Sequence, residues 1–437
     1  MATRVVVLGG GFGGLHTALH LEKMVGRDPD VQITLVSRDN FFLFTPMLHE
    51  VAASDLDITH IVSPIRTLLK RCTVFIGDVE SVDLAGKRIR VVHGFDRHSH
   101  ELAYDHLVVG LGSITNFYGL PGLEQRALTM KTLGDAIHLR NRVIATLEEA
   151  ATECQADADG LLTFVVAGGG FAGVETIAGL NDFVRDALRF YPRIRPERVR
   201  MVLVHSGPVI LPELGEKLGA YAGRRLTERG IEIITSARVS GVTHEGVELG
   251  DGVRIPSRLL VWTAGTSPHP LIHKLPCQLD RGRIVVDATL AVPGWDGAWA
   301  LGDCAVVPDP ATGKPHPPTA QHALREARTA ARNIVASIRG GRREPFRFRT
   351  IGQLAAIGHR TGVARVFGCN FSGFFAWWLW RTIYLSKLPR FEKKVRVAID
   401  WTLDLIFAKD FVQFLTVRAP AMSIEMPAAE EKGELTR

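Results

Sequence analysis

The sequence predicts an α/β chain with two Rossmann-like dinucleotide-binding domains, the second inserted in the first, and a C-terminal amphipathic helical module. Three observations carry this. The loop Gly9-Gly10-Gly11-Phe12-Gly13-Gly14 returns almost unchanged as Gly168-Gly169-Gly170-Phe171-Ala172-Gly173. Each copy follows an apolar run (Val5 to Leu8; Phe164 to Ala167) and opens a helical pattern, the setting this glycine spacing needs. Four of the seven tryptophans also crowd into one late segment, at Trp377, Trp378, Trp380 and Trp401. A single glycine loop is weak, because such turns are common; two in the same strand–turn–helix setting are far more specific. The glycines permit a tight turn and let backbone N–H groups approach a pyrophosphate resting on a helix N-terminus. Two such sites imply two dinucleotides, with electron transfer between them.

In chain order, the first unit reads as a strand over residues 4–8, the glycine turn, a helix over about 13–25 and a strand from Gln32 to Val36. Shorter strands follow at Cys72 to Ile76 and Arg88 to Val92. The run Tyr104 to Gly112 reads as a buried parallel strand ending in a glycine turn. The turn-rich Asn116 to Pro121 marks a crossing into the second unit. There the plan repeats: a helix near 131–153, strands at Leu162 to Ala167 and Val199 to Val204, then strands near Ile231 to Ile234 and Leu259 to Thr263. The chain is expected to return to the first unit near Arg283 to Val286. The expected division is 1–115 with 283–364, 116–282, and 365–437, the last ending in a polar, disordered tail from about Ala428.

Composition narrows the function classes. With 437 residues, 46% apolar and 22% charged, the chain suits two or three globular domains. The five cysteines (Cys72, Cys154, Cys277, Cys304, Cys369) stand singly, against a disulfide framework, a zinc ribbon or a redox dithiol. The sequence enters its first strand at Arg4 with no signal-peptide pattern, so export is not expected. No apolar stretch reaches the length of about 18 residues that a spanning helix needs. The net charge of +6 fits anionic lipid or nucleic acid. Because the late basic residues mix with tryptophans and no nucleic-acid motif appears, nucleic acid is the poorer fit.

The glycine loops, the strand end Ala300-Leu301-Gly302-Asp303-Cys304, the motif Pro318-Thr319-Ala320-Gln321 and the Trp-rich C-terminal segment together resemble the type II NADH dehydrogenases. These are non-proton-pumping, single-subunit NADH:quinone oxidoreductases. The resemblance runs from residue 1 to about 415. Its glycine and Gly-Asp motifs are shared by the whole two-dinucleotide flavoprotein superfamily; the Ala-Gln motif and the C-terminal segment narrow it. It implies that Gly9, Gly11, Phe12, Gly13 and Gly14 meet FAD, with Gly112, Gly302 and Ala320 nearby. Asp303 would accept from the ribityl hydroxyls, and Thr45-Pro46 would pass beside the isoalloxazine. Gly168, Gly170, Phe171 and Gly173 would meet NADH, with Gly265 closing on the nicotinamide nucleotide.

Two positions depart from the usual acidic end of the second strand in each nucleotide unit: Ser37 and His205. Asp39 is the candidate substitute for the FAD ribose. No arginine follows His205 directly (Ser206, Gly207, Pro208), so no pocket for a 2′-phosphate is evident. NADH is the expected donor, and NADPH stays open.

Hydride transfer from nicotinamide to flavin is the cofactors' chemistry, whereas quinone reduction also needs protons. Glu175, two residues past the second loop, is the candidate proton carrier, and Gln321 the candidate donor to a quinone carbonyl. The alternatives are a first-turn carboxylate held by the helix dipole and a helix-bridging amide. Burial would raise the pKa of Glu175 and the helix N-terminus would lower it, a contest the sequence leaves open.

The run Gly373 to Leu385 is too short to span, and Lys387, Arg390, Lys393, Lys394 and Arg396 follow it. Aromatics with flanking cations are what a monotopic anchor on anionic lipid requires, here with Val397, Trp401 and Leu405 on one helical face. The expected location is peripheral, on the cytoplasmic face of the inner or plasma membrane. The same helices could instead pack on the body or form a homodimer. Rival functions are a sulfide:quinone reductase using a cysteine pair (Cys154 and Cys369 stay open), an NAD(P)H-dependent reductase of another acceptor, and a flavin/NADH redox sensor.

Overall fold

The computed structural model describes residues 2–152, 158–404 and 406–414; Cys154, Leu405 and the tail from Ala428 lie outside them. Two parallel sheets carry the two glycine loops. The first runs, edge to edge, Ala298–Ala300, His106–Val109, Thr3–Leu8, Val31–Ser37 and Thr73–Ile76. The second runs Ile231–Ile234, Arg200–Val204, Thr163–Ala167 and Leu259–Trp262. Each glycine-bearing strand is an inner strand, paired on both edges and buried from Val5 to Leu8 and from Thr163 to Ala167. This is why those runs are apolar throughout instead of alternating.

The insertion is visible in the pairing. Ala298–Ala300 closes the first sheet against His106–Val109, and the whole second sheet lies between them in the chain. The strand near Arg283 instead pairs with Leu279–Asp280 and Ala305–Val306. The two crossings run side by side as an antiparallel ribbon, Ser113–Thr115 against Thr266–Pro268.

The helix Phe12–Val25 lies along Ala320–Ile338. Ala327, Ala330 and Ala331 are wholly buried on the latter, small side chains that suit close approach.

A three-stranded antiparallel sheet (Gly352–Ala356, Gly362–Val366, Cys369–Ser372) leads into the helices Gly373–Lys387 and Phe391–Leu403. These helices depart from the expected arrangement. Trp380 and Trp401 are buried in the body, as are Val397 and Lys393, whose ammonium donates to the Thr59 carbonyl at 2.7 Å. The apolar face left outside is Phe391, Val395, Ile399 and Leu403, joined by Phe374, Phe375 and Trp378. Both faces of the second helix are therefore apolar, and the side chains with matching neighbours took the inside. No helix among the described residues is long and apolar enough to cross a membrane.

Candidate active site

A cavity of about 1100 Å³ opens where the ends of both parallel sheets converge. It brings together Gly9, Gly11, Phe12, Gly13, Asp39, Thr45, Pro46, Gly112, Phe171, Glu175, Gly265, Gly302, Asp303 and Ala320. Five expected site residues do not line it: Gly14, Gly168, Gly170, Gly173 and Gln321.

The glycines divide into two kinds. Gly9 has φ +104°, and a Cβ there would stand 2.2 Å from the Gly110 carbonyl oxygen; one on Gly14 would stand 1.9 Å from the Gly9 carbonyl oxygen. The second loop repeats this, with φ +120° at Gly168 and 1.8 Å between a Cβ on Gly173 and the Gly168 oxygen. These positions are glycine because the fold demands it. Gly11 differs: a Cβ there meets no protein atom within 4 Å, and its backbone (φ −81°, ψ −165°) suits any residue. Packing does not require that glycine, so what requires it is the space in front of it. Gly170 is nearly as open, its nearest atom being Glu213 Oε1 at 4.0 Å. Gly11 and Gly170 also cap helices (Phe12–Val25 and Phe171–Ala187) that have no side-chain cap and no acid in the first turn. Both helix ends thus offer bare N–H groups to an anion. The residues fit a dinucleotide pyrophosphate at each loop.

Around the first loop the polar groups are ordered. Ser113 donates to Asp303 Oδ2 at 2.7 Å, and Lys131 Nζ donates to Ser113 Oγ at 2.8 Å. Buried Glu326 accepts the Gly302 N–H at 2.8 Å and fixes the turn that presents Asp303; burial pushes its carboxyl up to about 7. No sequence motif marks Ser113, Lys131 or Glu326, which meet Asp303 and its turn only through the fold. Asp39 is exposed and pairs with Arg38 at 3.6 Å. Ser37 donates to the Asp39 carbonyl at 2.7 Å and so shapes the loop that carries it. His205 is turned inward, its Nδ1 accepting the Gly169 N–H at 3.1 Å, which leaves the ring proton on Nε2. It buttresses the second loop, and the carboxylate nearest Gly170 is Glu213.

Glu175 settles the contest between burial and helix dipole. It lies beyond the first turn of its helix and is buried, and desolvation pushes its pKa up to about 8. Two donors, the Ala356 N–H at 3.2 Å and the Trp380 indole N–H at 3.0 Å, both fall on Oε1 and oppose the rise. Neither of these donors reaches Oε2. His49 Nδ1 stands 3.7 Å from Oε2, but burial drives His49 down to about 3, so near neutrality the two meet uncharged. Gln321 Nε2 donates to the Gly352 carbonyl at 3.2 Å, tying the long helix to the C-terminal sheet. The C-terminal region also reaches the cavity through Leu354 and Tyr384.

Residues 3–327 match the pyridine nucleotide-disulphide oxidoreductase family, and residues 351–410 match the NDH2 C-terminal domain. The type II NADH:quinone oxidoreductase Ndh of Mycobacterium tuberculosis is 33% identical over 92% of this chain and 88% of its own. The chain belongs to the type II NADH:quinone oxidoreductase family.

Another relative in the family's range is the demethylphylloquinone reductase NdbB of Synechocystis, 33% identical over 91% of this chain and 95% of its own. Among solved structures, NDH2 of Plasmodium falciparum in complex with NADH shares the fold at a TM-score of 0.88 and 20% identity, over 94% of this chain and 100% of that one. The sulfide:quinone oxidoreductase of Aquifex aeolicus is more distant, with a TM-score of 0.69 at 18% identity over 93% and 96% of the chains. The latter likeness is one of fold alone. Among the described residues no cysteine lines the main cavity, and Cys369 is exposed on the C-terminal sheet.

Proposed function

We infer that this chain oxidises NADH and reduces a membrane quinone through FAD, without pumping protons. The observation that carries this reading is one cavity shared by the first nucleotide loop, the start of the second loop's helix at Phe171, buried Glu175, and Leu354 and Tyr384 of the C-terminal region. Bound FAD would supply the two-electron redox chemistry that links NADH to the quinone.

The protein's part is to hold, orient and supply protons. Gly9, Gly11, Phe12, Gly13 and Gly14 with their helix N-terminus hold the FAD pyrophosphate, and Asp303, steadied by Ser113 and Lys131, accepts from the ribityl chain. Gly112, Gly302, Ala320, Thr45 and Pro46 shape the flavin's surroundings, and Asp39 serves the FAD ribose. Gly168, Gly170, Phe171 and Gly173 hold NADH, with Gly265 at the nicotinamide end. Glu175 holds a transferable proton. Gln321 stands outside the main cavity and donates one amide N–H to the Gly352 carbonyl; its second N–H is the one left to offer a quinone carbonyl.

The exposed face of Phe374, Phe375, Trp378, Val395 and Ile399, flanked by Lys387 and Arg396, seats the molecule on the anionic cytoplasmic surface of the membrane. The same face is the natural site for a homodimer contact. On this reading residues 1–115 with 283–364 bind FAD, 116–282 bind NADH, and 365–437 associate with the membrane.

Steady-state NADH oxidation tests the reading. The oxidoreductase consumes many equivalents of NADH only when a quinone analogue is present. A redox sensor would stop after one equivalent.

A further inference from the structure

A second cavity, of about 280 Å³, lies behind Glu175 on the side away from the nucleotide loops. Glu175 lines both cavities. Glu50, on the short helix Leu48–Ala52, is 6% exposed and lines only the smaller one. At its far side the smaller cavity reaches the exposed Asp186 and His359. It therefore leads from solvent to two buried carboxyl groups. The volume is far above the roughly 10–15 Å³ that one water needs, and the lining is polar, so the cavity is built for water. Arg381 lies on its wall with a buried Nε that has no hydrogen-bond partner among the described residues.

The C-terminal region builds much of this wall. The Trp401 indole N–H donates to Glu50 Oε2 at 3.2 Å, and Trp380 does the same for Glu175. Lys409 pairs with Asp55 and donates to the Ala53 carbonyl at 3.3 Å. The charged groups facing Glu50 are Arg381, Asp55, Asp404 and, across the cavity, Glu175.

The stoichiometry leaves a role for such a route. NADH gives two electrons and one hydrogen nucleus, while the quinone takes up two electrons and two protons. NADH, quinone and one solvent proton become NAD⁺ and quinol, so one proton enters from water in every turnover. On the function inferred above, we propose that Glu50 and Glu175 form a two-carboxyl relay carrying that proton from the water-filled side cavity to the main cavity. The C-terminal helices, besides facing the membrane, close the cavity around the relay. Burial raises both carboxyls to about 8, so near neutral pH each holds a proton to pass on and is able to regain one. Glu50 is a positioning residue here, because it acts through Glu175.

The test uses the holoenzyme and Glu50→Gln, which keeps an oxygen for the Trp401 N–H and removes the proton. Anaerobic mixing with NADH followed by a soluble quinone analogue separates the two half-reactions. We expect flavin bleaching by NADH to persist, and recovery on quinone to slow by about tenfold or more. Glu50→Asp, which restores a titrating group, recovers most of the rate. Infrared difference spectra between about pH 6 and about pH 9 give a readout apart from turnover: Glu50→Gln loses one titrating carboxyl band that Glu50→Asp keeps. Wild-type recovery in Glu50→Gln, or equal slowing in both variants, would overturn the relay and leave the function intact. A wild-type flavin that NADH fails to bleach would sink the function itself, a result distinct from either.

Discussion

At the scale of single residues, the glycine loops separate what the fold needs from what the ligand needs. Gly14→Ala drives a Cβ to 1.9 Å from the Gly9 carbonyl oxygen and is expected to cost more than about 3 kcal/mol of stability. Gly11→Ala meets no protein atom, so its cost should stay within about 1 kcal/mol. Yet it should weaken FAD retention by about tenfold or more, because the methyl group fills the space facing the pyrophosphate. Denaturant unfolding of apo-protein and flavin-release titration check the pair; Gly11→Ala that keeps FAD as tightly as wild type contradicts the assignment. Glu50 and Glu175 make a second residue-scale prediction. Their folded pKa values, about 8, lie above the ordinary 4.5, so the folded chain keeps protons that the unfolded chain releases. Their contribution is therefore lost as pH rises from about 5 to about 8. His16, His49 and His322, held below 6.5 by burial, push the other way below that value. The informative quantity is thus the stability of wild type minus that of the Glu50→Gln, Glu175→Gln double variant. It should fall across the window; a rise contradicts the raised values.

At the scale of elements, the sequence was most legible where a local rule forces the outcome. The glycine loops, the inner strands and the helix that opens at the first loop lie where their spacing puts them, because tight turns, burial on both sheet faces and a helical pattern all act within a few residues. The C-terminal helices were legible as helices but not as faces. Phe391–Leu403 carries apolar residues on two sides, and it is neighbours distant in sequence, Glu50 for Trp401 and Glu175 with His49 for Trp380, that meet the side chains turned inward. Glu50 itself sits in a buried five-residue helix that no motif announces. This affects how the membrane assignment is best tested. Deleting residues from 365 onward would also strip the two buried glutamates of their indole donors, mixing anchor loss with damage to the site. Replacing the exposed Phe374, Phe375 and Trp378 with serine leaves those contacts alone. With about 1.5–3 kcal/mol per buried aromatic, vesicle partitioning should drop by at least about a hundredfold while thermal stability holds. Unchanged partitioning would remove this face from the membrane.

At the scale of the whole molecule, one continuous path accounts for the architecture. The inserted sheet brings the second loop's helix to the first cavity, and the paired ribbon Ser113–Thr115 and Thr266–Pro268 holds the two units at that junction. The C-terminal region then adds Leu354 and Tyr384 to the cavity and the exposed apolar face outside. On the proposed function, nucleotide, flavin and quinone chemistry meet near Glu175, and the side cavity that Glu175 also lines is the proposed water route. The fold class and the two loops could be read from spelling alone. The carboxyl pair, the Ser113–Lys131 support of Asp303 and the inward turn of His205 could not, because each arises where segments distant in sequence meet. The most direct test of the central claim is anaerobic stopped-flow absorbance of the purified holoenzyme on lipid vesicles. NADH should bleach the flavin within one turnover, and a quinone dissolved in the bilayer should restore the oxidised spectrum. A flavin that NADH leaves oxidised, or that quinone leaves reduced, contradicts the account.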